Sequence, residues 1–153
     1  MRILLLFIVA LLIPADRPKW ELVVSTEAEE YFRQDKPVRS LSDYIVQWEI
    51  HKPKDTPEGR ELRETRAAAL EGVLGSEKAR RYGFSVVQRG YDCRRKRVTF
   101  IRGAYHAPDE AWLGEMSGEE LKAARSIERR APAPGSVDER LLKETCARVP
   151  LVK

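Results

Sequence analysis

A chain of 153 residues with 42% hydrophobic and 34% charged side chains has enough apolar mass for one core, which excludes global disorder and leaves no room for two independent domains. Its 28 basic and 24 acidic residues give a formal net charge of +4. That balance is too even for a nucleic-acid-binding domain, whose cationic excess is larger and more segregated.

The first segment sets the expected compartment. Met1-Arg2 is a short positive start, Ile3 to Ile13 is an unbroken apolar run, and Pro14-Ala15 leads into the polar Asp16-Arg17-Pro18-Lys19. This is the form of a secretory signal peptide over residues 1–15, with the exported domain over residues 16–153. The apolar run is shorter than the roughly 20 residues of a spanning helix. Ala15 suits the last position before a cut, whereas Ile13 is bulkier than the small residue preferred there, so retention as an N-terminal anchor is the alternative. No cysteine near the end of the run offers a site for lipid attachment.

Trp20, Leu22 and Val24 alternate with Glu21 and Ser25, which predicts a strand, and Tyr31-Phe32 before Lys36-Pro37-Val38 predicts a short strand and a turn. Over 44–51, Tyr44, Val46, Trp48 and Ile50 fall on one face and Gln47, Glu49 and His51 on the other, the period of a half-buried strand. Trp20, Trp48 and Trp112 are expected in the core rather than on a stacking surface. Thr56-Pro57 then reads as an N-cap with proline at the first helical position. Leu62, Ala69, Leu70, Val73 and Leu74 give the helix that follows a modest apolar stripe, and Gly75-Ser76 ends or interrupts it.

Phe84 to Cys93 and Val98 to Tyr105 are two strand-like runs around the polar Arg94-Arg95-Lys96-Arg97, which predicts a β-hairpin with a loop of about three to five residues. The remainder is expected to be mainly helical. Ser117-Gly118-Glu119-Glu120 has capping-box spacing ahead of a helix over 121–130, which Ala131-Pro132-Ala133-Pro134-Gly135 stops. Ser136 caps a final helix that begins with Asp138 and Glu139 and turns Val137, Leu141, Leu142 and Cys146 inward.

Cys93 and Cys146 are expected to form a disulfide in an exported chain. The competing reading is a reactive thiol or metal pair, but neither cysteine belongs to a Cys-x-x-Cys motif, and His51 and His106 stand at no recognised ligand spacing. No metal or other cofactor is expected. The basic tip Arg94, Arg95, Lys96 and Arg97 reads as a solvated loop; the functional alternative is weak contact with lipid phosphate at a membrane surface, lipopolysaccharide or a sulfated glycan. The chain lacks a Gly-x-Ser-x-Gly elbow, a phosphate loop, a dinucleotide fingerprint and a His-Glu-x-x-His helix, and no enzymatic activity is expected of it.

Several blocks together resemble the surface-adhesin protein E-like family of bacterial envelope proteins: Trp20-Glu21-Leu22-Val23, Tyr44-Ile45-Val46-Gln47-Trp48, Tyr91-Asp92-Cys93 with the basic turn and Val98-Thr99-Phe100, and Pro134-Gly135-Ser136 before the helix carrying Cys146. The resemblance covers about residues 19–148. It implies an α+β fold, an antiparallel β-sheet with packed helices, and one disulfide matching Cys93 and Cys146, at the periplasm or cell surface. It also implies a binding domain for a protein or glycan of the host or envelope. The alternative is a periplasmic structural or accessory protein with no adhesive role.

Overall fold

The computed structural model describes residues 18–41, 44–117 and 131–148. The expected signal segment 1–15 and the helix over 121–130 lie outside the described residues, as does the capping box beyond Ser117.

Among the described residues one antiparallel sheet holds β1 (Trp20–Ser25), β2 (Glu29–Gln34), β3 (Arg39–Leu41), β4 (Tyr44–Pro53), β5 (Phe84–Asp92), β6 (Arg97–His106) and β7 (Trp112–Ser117). The order across the sheet is β1-β2-β4-β5-β6-β7. β2 and β3 share one edge of β4: β2 pairs with Glu49 to Pro53, and β3 with Tyr44 to Val46. The β5–β6 hairpin closes through a four-residue turn at residues 93–96, as the sequence predicts.

The helices are α1 (Pro57–Leu74), α2 (Ser76–Ala79) and α3 (Val137–Arg148). Thr56 caps α1 as expected: its Oγ1 accepts from the Gly59 N–H at 3.1 Å and donates to the Glu27 carbonyl at 2.8 Å, so the cap also ties the helix to the β1–β2 turn. Gly59 is required there, because a Cβ would collide with the Lys54 and Ala28 carbonyls. Gly75 adopts φ +80° and ends the helix, a conformation glycine reaches without strain. Ser136 accepts from the Glu139 N–H at 3.2 Å and starts α3.

Both long helices lie on the same face of the sheet. Under α3, Leu141 and Leu142 meet Val24, Ile45, Tyr91 and Val98, with Val137 and Cys146 at the margin. Under α1, Leu70 meets Tyr82, Tyr105, Ala107 and Leu113. The Cys93–Cys146 disulfide fastens α3 to the end of the hairpin, with Cα atoms 5.6 Å apart and a sequence separation of 53.

Two expectations are corrected. The tract after the hairpin opens with a strand instead of running straight to helix: residues 112–117 form β7, whose Leu113 is buried under α1 and whose Gly114 leaves the room that Leu74 fills. The three tryptophans are not core residues either. Helix docking selects the other face of β4, so Ile45, Gln47 and Glu49 are the side chains left 1–2% exposed, while Trp20 and Trp112 are 36% and 60% exposed and Trp48 is half-buried.

Candidate functional site

The helix-covered face carries charge at its centre. Glu49 on β4 lies opposite Arg33 on β2 and Val87 on β5, and its carboxylate gathers three partners. The Tyr91 hydroxyl donates to Oε1, the His51 Nε2 lies 2.8 Å from Oε2, and Arg89 Nη1 lies 3.6 Å from Oε2. Arg89 also donates to Asp138 Oδ1 of α3 at 2.8 Å. Burial works against the charge on Arg89, but Glu49 and Asp138 more than reverse it, so its pKa rises.

A second pair spans the sheet and α1. Arg66 grips Glu29 with both terminal nitrogens, Nη2 reaching Oε2 at 2.8 Å, and lies 3.5 Å from the Tyr82 hydroxyl. Burial again opposes the charge, yet the bonds to Glu29 hold the Arg66 pKa above its ordinary value. Tyr31 and Tyr105 are pushed up chiefly by burial, Tyr105 to about 12. Arg33, donating to Thr145 at 3.5 Å, is instead pulled down by burial with Arg148 nearby.

A cavity of about 380 Å³ opens between α1 and α3 over this cluster, lined among others by His51, Arg66, Ser85, Arg89 and Asp138. Ser85 and His51 are cross-strand partners with Glu49 behind the imidazole, the residue types of a nucleophile, a base and its orienting carboxylate. The geometry does not couple them. The Ser85 hydroxyl is engaged by the Tyr82 hydroxyl at 2.8 Å, and the His51 ring sits edge-on to Tyr31, centroids 4.8 Å apart. The cluster therefore braces the helices against the sheet.

The opposite face is apolar and open. In register, Leu22, Phe32, Ile50, Val86 and Ala104 form a single row across β1, β2, β4, β5 and β6. The neighbouring row is Trp48, Gln88 and Arg102; the Arg102 guanidinium lies 5.0 Å from the Trp48 ring centroid, and its Nε donates to Gln88 at 3.1 Å. Phe84 and His106 stack with centroids 5.0 Å apart. Among the described residues no helix forms a hydrophobic cluster with this face, and Leu22 remains 53% exposed.

The basic tip lies elsewhere. Arg94, Arg95 and Lys96 occupy the hairpin turn, Arg97 opens β6 opposite Asp92, and all four are exposed. Asp92 anchors the turn by accepting from the Arg95 N–H at 2.8 Å, with the Arg95 guanidinium at 3.4 Å. Tyr44, the partner of Asp92, stands six positions along β4 from Ile50, about 20 Å at the rise of a strand, so the tip and the centre of the apolar row are not brought together.

Sequence reasoning missed the inward arginines of α1. Gly59, Arg63, Arg66, Leu70 and Leu74 follow each other at steps of three and four, so the buried stripe includes two cations that an apolar search passes over. No family model matches the chain, and no curated protein or solved structure matches it either.

Proposed function

We propose that the chain is an exported binding protein of the surface-adhesin protein E-like kind that holds a protein or glycan partner of the envelope or host on the open face of its sheet. The observation that carries this reading is the row Leu22, Phe32, Ile50, Val86 and Ala104 beside Trp48 and Arg102. Aromatic and arginine side chains on a half-exposed apolar surface are the usual anchors of recognition, whereas an ordinary solvated sheet face alternates to polar residues. The Cys93–Cys146 bridge supports the exported compartment, since such bonds persist outside the reducing cytoplasm. The pairing of Ser85 with Tyr82 supports binding over hydrolysis.

The test uses oxidised full-length protein on a sensor surface against purified extracellular-matrix proteins, heparin and lipopolysaccharide. Replacing Trp48 and Leu22 together by serine is expected to weaken the retained partner by about tenfold or more, the scale of an interface hot spot, with the circular dichroism of the folded protein unchanged. Retention unaffected by that double variant, or no retention of any of these probes, overturns the reading.

A further inference from the structure

We infer that the Trp20 end of the open face takes a free single-tailed carboxylate, its tail on an aromatic floor and its head on Arg63; the inference rests on the reading of that face as a binding surface. A cavity of about 310 Å³ opens there, and its lining sets Trp20, Phe32, Ile50 and Phe84 beside the cations Lys52 and Arg63. The volume is near the lower end of small-molecule sites, about 300–1,000 Å³, which leaves room for one tail rather than two. Glu110 also contributes to the wall, so the charged groups of the lining are two cations to one anion and favour an anionic guest.

Arg63 supplies an independent observation. Arg66, one turn further along α1, has Glu29; Arg63 also turns inward, but its buried Nε has no hydrogen-bond partner among the described residues. An N–H held out of water without an acceptor forfeits a hydrogen bond. A carboxylate entering from the cavity would meet a guanidinium that this structure leaves short of acceptors and match it in charge and planar shape. A small hydrophilic anion would leave the aromatic floor wet, while an uncharged chain would leave Arg63 unmet, so the two features together select a molecule with both parts.

Free fatty acids and the acyl lipids of a bilayer share this chemistry, and two arms separate them. Oxidised full-length protein is titrated with sodium decanoate and with decanol, read by tryptophan fluorescence and by calorimetry. Decanoate is expected to saturate one site and to bind about tenfold tighter than decanol, the contribution of a charge-assisted hydrogen bond. Arg63→Met should abolish that preference, with circular dichroism unchanged and the unfolding midpoint no lower, since the unpartnered donor is gone; Arg81→Met, at an exposed cation near Asp109, should preserve the preference. Equal affinity for the two chains, or a preference that survives Arg63→Met, overturns the inference. Co-sedimentation with phosphatidylglycerol vesicles that Arg63→Met removes, without decanoate binding, overturns the free acid in favour of a membrane lipid. Failure of decanoate while the Trp48 and Leu22 double variant still loses its macromolecular partner removes this cavity alone; failure of both removes the open-face reading as well.

Discussion

The two faces of the sheet are opposite in kind to what their residues suggest. The face under α1 and α3 holds Glu29, Arg33, Gln47, Glu49 and Arg89 at 8% exposure or less, and the face without helices presents tryptophan, phenylalanine, leucine and isoleucine. Strand periodicity therefore identifies two faces but not which one is inside. The choice falls to the helices, which bring Leu70, Leu141 and Leu142 to the ends of one face and leave its middle to ion pairs. Paired charges in a low-dielectric interior hold register and helix position, and they penalise the loss of either partner.

The largest effect expected on this contrast comes from removing the fastening of α3. Replacing Cys93 and Cys146 by alanine opens a loop of 53 residues in separation, for which chain entropy gives about 4 kcal/mol of lost stability. Urea unfolding measures the loss, and hydrogen exchange should accelerate in α3 before α1. Next, Glu49→Leu should cost about 3 kcal/mol, the low end for a broken buried pair because Arg89 keeps Asp138 as a partner. Adding Arg89→Met to Glu49→Leu should recover part of that loss, since an apolar pair carries no unmet charge. Leu22→Ser on the open face should change stability by about 0.5 kcal/mol or less, as for surface sites in general. A cost for Leu22→Ser equal to that of Glu49→Leu would mean that the open face is core, and the contrast would collapse.

Much of this architecture was legible in advance. β1, β4 and the hairpin declare themselves by a period of two, α1 by Thr56-Pro57, α3 by Ser136, and the bridge by there being only two cysteines in a chain read as exported. The interior charges were not legible, because their pairing is a property of folded distance: Glu29 and Arg66 are 37 positions apart, and Glu49 and Tyr91 are 42. β7 was missed for a related reason. Gly114 weakens its alternation, and the glycine is there to admit Leu74 from a helix 40 positions earlier. Arg63 resembles any surface cation until the backbone turns it toward Phe84 and Trp20.

The smallest expected effect isolates a charge at the surface from those in the interior. Glu139 in the first turn of α3 accepts from the Gly135 N–H at 2.7 Å and pairs with Lys143 at 3.0 Å; the backbone bond first, and Lys143 second, hold its pKa below the ordinary 4.5. A carboxyl whose pKa is lower folded than unfolded binds fewer protons in the native state, so its stabilisation is complete above the unfolded value and disappears as pH falls through the folded one. Glu139→Gln should therefore lower the unfolding midpoint slightly at neutral pH and not at all in acid well below the carboxylate range. The gap between the two proteins in neutral buffer should also narrow in concentrated salt, as an exposed pair requires, whereas the cost of Glu49→Leu should be nearly indifferent to salt. A Glu139→Gln gap that persists in acid would mean that the side chain acts through packing, and that the surface of α3 is held by the same means as its buried side.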